Sequence, residues 1–127
     1  MRINKVYNAL SMIQGSYTLL TAFWALVDIQ SFMGVTGPKT DVWLVKTVAV
    51  LLLPIGFCFL WGLYFNTDRL LVTFIGIMSS AGLAFIDFHY TINGTIKWIY
   101  QADGFLQIFF LLVWTYLLNH AKRLKED

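Results

Sequence analysis

The run WLVKTVAVLLLPIGFCFLWGLYF (residues 43–65), the link Asn66-Thr67-Asp68-Arg69 and the run LLVTFIGIMSSAGLAFIDF (residues 70–88) decide the fold. Each apolar run is about 20 residues long. As a helix rising about 1.5 Å per residue it spans ~30 Å, the thickness of a bilayer's hydrocarbon core. A link this short makes only a helical hairpin, so the two runs are antiparallel neighbours. Asp68 stands where the second helix begins, a position that suits a helix dipole.

Two more apolar stretches flank the hairpin, Val6 to Val27 and Ala102 to Leu118. The expected helices therefore cover residues 6–28, 43–65, 70–90 and 101–119. The fold class is all-α: a polytopic membrane protein, a single antiparallel four-helix transmembrane bundle. Composition agrees, with 58% hydrophobic and 13% charged residues, the latter well below the ~25% usual in soluble domains. The 17% aromatic content suits belts of Trp and Tyr at the two interfaces. Cys58 is the only cysteine, so an internal disulfide or a Cys-x-x-Cys relay is excluded.

The basic residues orient the bundle. With the N-terminus in the cytoplasm, that side carries Arg2, Lys5, Arg69, Lys122, Arg123 and Lys125, against Lys39, Lys46 and Lys97 on the other. The positive-inside rule then puts both termini in the cytoplasm, in a bacterial inner membrane. Arg2 and Lys5 also resemble the start of a signal peptide, but the first stretch is longer and more polar than an h-region and lacks a small-x-small cleavage site. It is read as a helix. The net charge of +2 follows topology and implies no nucleic-acid partner.

The outer connections are longer. Gln30 to Thr40 reads as a loop with Gly34, Gly37 and Pro38, and Thr40 or Asp41 is the expected N-cap of the second span. Thr91 to Gln101 holds an Asn93-Gly94 turn, then Ile96, Trp98 and Ile99 along the membrane surface. Gly34 to Thr40 imitates a P-loop, but its spacing is wrong and it faces outward. Asn93-Gly94-Thr95 is a glycosylation sequon too close to the bilayer to be used.

Within the spans, polar residues form stripes. Tyr7, Ser11, Gln14, Thr18, Thr21, Ala25 and Asp28 follow at spacings of three and four, on one face of the first helix. In lipid such a face turns toward protein or water. It either glues helices together or lines a ligand cavity. On the third helix, Thr73, Gly76, Ser80, Ala84 and Asp87 repeat the pattern. Its Gly76/Ser80/Ala84 ladder permits close packing, within the chain or across a homodimer. The fourth places Tyr100, Asp103, Gln107, Phe110 and Trp114 on one face. The second is expected to bend near Pro54, which removes a backbone hydrogen bond.

The outer ends thus gather Asp28, Asp41, Lys46, Asp87, His89, Tyr90, Lys97, Tyr100, Asp103 and Gln107. Asp28 and Asp87 are expected at helix C-terminal ends, where a negative charge opposes the dipole, and Lys46 is the expected partner of Asp87. The candidate ligand-binding set is Asp28, Lys46, Asp87, Tyr90, Tyr100, Asp103, Gln107 and Trp114. The cluster either fixes helix register by ion pairing or binds a head group or moves protons. No catalytic constellation is recognised. His89 and His120 fall at opposite faces, too far apart for one haem. No His/carboxylate pair has metal-ligand spacing, so neither a cofactor nor a metal is expected.

Small multidrug transporters place a glutamate deep in their first helix, and this chain has none in its spans; fluoride-channel signatures are absent as well. The segment Gly37-Pro38-Lys39-Thr40-Asp41-Val42-Trp43-Leu44-Val45-Lys46, with Ala84-Phe85-Ile86-Asp87 through Tyr90 and then Ile99-Tyr100 and Asp103, resembles small bacterial four-helix membrane proteins of uncharacterised function. The resemblance implies location and architecture. A looser likeness joins the chain to sterol-isomerase-like and DoxX-like four-helix modules, with no motif that carries their active residues over. The functional expectation is a protein that binds a lipid or another amphiphile in a polar, aromatic pocket at the outer end. The alternatives are a proton- or ion-coupled transport element or an accessory subunit of a larger membrane complex. Membrane lipids, an amphiphilic ligand and a second copy of the chain are the partners considered.

Overall fold

The computed structural model describes residues 2–65 and 67–126, without the side chains of residues 125 and 126. Asn66 of the expected hairpin link and the side chain of Lys125, counted above among the cytoplasmic charges, lie outside them. Four long helices account for most of the chain: α1 (Arg2–Val27), α3 (Val42–Tyr64), α4 (Arg69–Ile92) and α5 (Ile99–Asn119). All four are long and apolar enough to cross a membrane. The chain is a multi-pass membrane protein with an antiparallel four-helix bundle. Two short helices complete it, α2 (Ile29–Thr36) at the end expected to face outward and α6 (Ala121–Glu126) at the opposite end, expected to face inward.

The helices associate as two close pairs, α1 with α3 and α4 with α5, while α3 and α4, joined by the short link, touch far less. Glycine explains the pairing. Without a hydrophobic drive between helices in lipid, close backbone approach supplies the packing. A Cβ added at Gly56 would come within 2.7 Å of Leu19 Cγ, and one at Gly15 within 2.9 Å of Leu60 Cδ2. In the second pair, Gly104 lies against the Phe88 ring, and a Cβ there would stand 2.9 Å from Phe88 Cε2. Gly76 lies against the Trp114 indole. Gly76, Ser80 and Ala84 are all buried, so the small-residue ladder is spent inside the chain.

Polarity sorts the surfaces. Tyr7, Ser11, Gln14, Thr18 and Ala25 of the α1 stripe are buried, as are Thr73, Ser80 and Asp87 of α4 and Gln107, Phe110 and Trp114 of α5. α3 fully buries Ala49, Gly56 and Phe59 and packs Val45, Leu52, Leu53, Ile55 and Cys58 partly buried against the core. It presents Trp43, Val50, Leu51, Phe57 and Trp61 outward. It runs helical through Pro54, which is exposed.

The outer connection corrects the sequence reading. Residues 29–36 form α2 rather than a loop, because Asp28 caps it: Ser31 N donates to Asp28 Oδ1 at 3.2 Å. Gly37 ends it with φ 103°, a left-handed value that favours glycine. Asp28 is therefore at a helix N-terminus, where its charge is favoured. Asp41 occupies the N-cap position of α3 but makes no side-chain cap bond.

At the inner end, Asp68 caps α4 as its position suggested, accepting from Leu70 N at 3.0 Å and Leu71 N at 3.3 Å. Asp68→Ala should destabilise the protein by about 1 kcal/mol, the usual worth of an N-cap side chain. Asp68→Asn should recover most of that loss in thermal unfolding, because its carbonyl oxygen can accept the same bonds.

Candidate functional site: a buried carboxyl pair on a polar axis

The polar faces of α1, α4 and α5 converge on the bundle axis. In the outer half, the Asp87 and Asp103 carboxyl groups meet across the α4–α5 pair. The close approach at Gly104 permits this, since a Cβ on that residue would lie 3.2 Å from Asp87 Cβ. Tyr17 of α1 donates its hydroxyl to Asp103 Oδ1. Gln107 Nε2, one turn along α5, donates to the same oxygen at 3.4 Å. Asp103 thus collects both donors. Asp87 Oδ2 and Gln107 Oε1 are buried without a partner among the described residues.

Deeper in the bundle, Gln14 closes the axis. Its Oε1 accepts from Trp114 Nε1 at 2.6 Å and its Nε2 donates to Ser80 Oγ at 3.0 Å. Trp114 is fully buried, stacked on Phe59 with centroids 5.5 Å apart and edge-on to Tyr7 at 6.0 Å. Below this clamp, Ser11 Oγ, Tyr7 Oη and Thr67 Oγ1 are buried without hydrogen-bond partners among the described residues. The inner end is then shut by Arg69. Its guanidinium stands 5.7 Å from the Tyr7 ring centroid, and its Nη1 donates to Asn4 Oδ1 at 2.8 Å and to Leu124 O at 3.4 Å. The layout is two polar clusters separated by one amide.

The outer end is covered rather than open. Phe32 of α2 is buried, edge-on to Trp24 at 5.3 Å. Lys39 donates to Thr36 Oγ1 at 2.9 Å, Gly37 O at 3.0 Å and Thr36 O at 3.4 Å. The same ammonium lies 5.3 Å from the Tyr100 ring centroid. All three of its hydrogens are committed to the cover.

Of the expected site residues, Asp87, Asp103 and Gln107 come together, and Trp114 lies deeper on the same axis. Tyr100 lies under Lys39, one turn above Asp103. Asp28 is exposed as the cap of α2, and Lys46 is exposed on α3. Tyr90 is exposed and stands edge-on to His89. The expected Lys46–Asp87 pair is corrected: Asp87 is only 4% exposed and faces Asp103. The short hairpin link makes α3 and α4 neighbours in sequence, but α3 spends its packing on α1.

Tyr17 is the contributor that the sequence reading passed over. It lies three residues after Gln14 and four before Thr21, so the spacing already placed it on the edge of the polar stripe. Gln14 itself stood in the stripe but outside the candidate set. Compared with protein-family models, curated proteins and solved structures, the chain matches none.

Proposed function

We propose that this protein is a proton- or ion-coupled transport element whose working site is the Asp87–Asp103 pair. The observation that carries the reading is two carboxyl groups from facing helices, buried Asp87 and half-buried Asp103, meeting beside Tyr17 and Gln107. Two negative charges confined to one poorly solvated site repel strongly, and uptake of a single positive charge relieves them. Intramembrane acids of this kind mark ion or proton routes. Gln14 separates the carboxyl pair from the hydroxyl groups of Ser11, Tyr7 and Thr67, so passage requires the Gln14–Trp114–Ser80 clamp to part. Both termini face the cytoplasm of a bacterial inner membrane in this reading, as the basic residues indicate.

Reconstituted vesicles test it. With an imposed proton or sodium gradient, the wild-type protein should collapse the gradient faster than protein-free vesicles. Asp87→Asn should return the rate to the protein-free level. Equal rates for wild type and variant under both gradients would defeat the proposal.

A second reading, an amphiphile-binding protein, is favoured by a different feature. A shallow groove of about 390 Å³ runs along α4 and α5, lined by Ala81, Ala84, Phe85, Phe88, Ile108 and Leu111 with His89 at its edge. Its apolar lining suits an acyl chain, and membrane lipids would be its partners. Native mass spectrometry after gentle extraction should retain a bound lipid that Ala84→Phe displaces. Retention unchanged by that substitution would defeat this reading.

A further inference from the structure

The bonding pattern around the carboxyl pair specifies more than a buried negative charge. Four side chains from three helices bring oxygen to one place: Tyr17 from α1, Asp87 from α4, and Asp103 and Gln107 from α5. Two hydrogen-bond donors are present, the Tyr17 hydroxyl and the Gln107 amide, and both are used on Asp103 Oδ1. The unpartnered atoms, Asp87 Oδ2 and Gln107 Oε1, are both acceptors, and their residues are only 4% and 3% exposed. Buried acceptors left without donors are costly, so such a site has a use for a positive species.

A proton placed between the carboxyl groups would ease their repulsion but leave the Gln107 carbonyl oxygen without a partner. A metal cation would give both unpartnered acceptors, Asp87 Oδ2 and Gln107 Oε1, a positive partner. Two basic groups lie at this cover: Lys39 has its three hydrogens on Thr36 and Gly37, and Lys97, packed beside Gly37, is exposed. Among the described residues no three His, Cys, Asp or Glu side chains gather as metal ligands, so a soft or nitrogen-liganded metal has no set. The oxygen-only ligands fit a hard cation. Calcium takes 6–8 oxygens, and magnesium sheds water reluctantly. Of the six oxygens on these four side chains, Tyr17 Oη and Asp103 Oδ1 are spent on each other, and the four that remain, on helices whose carbonyls are spent on their own backbones, fall short of both.

We infer that Tyr17, Asp87, Asp103 and Gln107 form an oxygen cage for a monovalent metal cation, held by Asp87 Oδ2, Gln107 Oε1 and the Asp103 carboxylate. The inference rests on the transport reading and names its ion. An all-oxygen cage drawn from three helices carries no His/carboxylate spacing, the mark by which a metal site is legible in sequence. Asp103 is half-buried, and the Gln14 clamp closes the deeper side of the cage.

The test is thermal unfolding of the full chain in lipid nanodiscs at fixed pH and ionic strength, with sodium chloride replacing N-methylglucamine chloride. Sodium should raise Tm saturably, as a ligand selective for the folded state does. Gln107→Met should move the midpoint sodium concentration upward by about tenfold or more, the worth of one lost ligand of ~1.4 kcal/mol. Lys39→Met should leave the midpoint in place. Lithium or potassium acting like sodium supports a cage for the monovalent class. A saturable shift with calcium larger than with sodium overturns the charge assignment. Identical Tm in sodium and N-methylglucamine for the wild type overturns the cage, whatever the variants do. In that event, Asp87-dependent proton flux in sodium-free vesicles would show that the transport reading stands without it, and no such flux would remove both.

Discussion

Replacing Trp114 by alanine should destabilise the protein by about 3–5 kcal/mol, the range for deleting a fully buried large aromatic side chain. Two losses combine. The first is packing: the indole stacks on Phe59, meets Tyr7 edge-on and fills the space left by Gly76. The second is polar, because Gln14 Oε1 loses its 2.6 Å donor in a region where water does not readily replace it. Trp114→Phe separates the terms, keeping an aromatic ring while removing the Nε1 donor, and should cost about 1–3 kcal/mol. Unfolding in mixed micelles measures both. A Trp114→Ala loss below that of Trp114→Phe would show that the indole is not the central packing element.

The polar axis also shows how far sequence alone reached. The spans followed from length and hydropathy because a bilayer demands ~20 apolar residues whatever the function. The α1 stripe was legible for an equally general reason: buried polar residues on a membrane helix must share a face. Asp68 could be placed as a cap because it precedes the helix directly. Tertiary choices were less accessible. Asp28 continued the α1 stripe at the proper spacing, yet the chain breaks helix there and spends the carboxylate on α2. Lys46 and Asp87 lay at similar depths on consecutive helices. Their separation depends on α3 turning toward α1, a preference written in Gly15 and Gly56 rather than in the charges. The meeting of Asp87 with Asp103 depends in turn on Gly104, whose missing Cβ admits Asp87. A list of polar residues does not contain that information.

Glycine supplies the other large prediction. Gly76 and Gly82 lie on the same helix, and either could be changed to alanine. On helix propensity alone both substitutions should stabilise by up to about 1 kcal/mol. At Gly82 nothing lies within 4 Å of an added Cβ, so Gly82→Ala should show that gain or no change. At Gly76 an added Cβ would overlap the Trp114 indole. That ring cannot swing aside without breaking its bond to Gln14 and leaving Phe59. The α4 backbone must then retreat from α5. Overpacking of this kind costs about 1–3 kcal/mol, occasionally more, and the rigid indole favours the upper end. The Gln14–Trp114–Ser80 clamp would loosen as well. Trp114→Phe should therefore soften the effect of Gly76→Ala, because the smaller ring vacates part of the space. The double variant should lose less than the sum of the single losses, a coupling expected of residues in direct contact. Gly76→Ala and Gly82→Ala behaving alike, or additive losses with Trp114→Phe, would mean that α4 and α5 do not approach through Gly76.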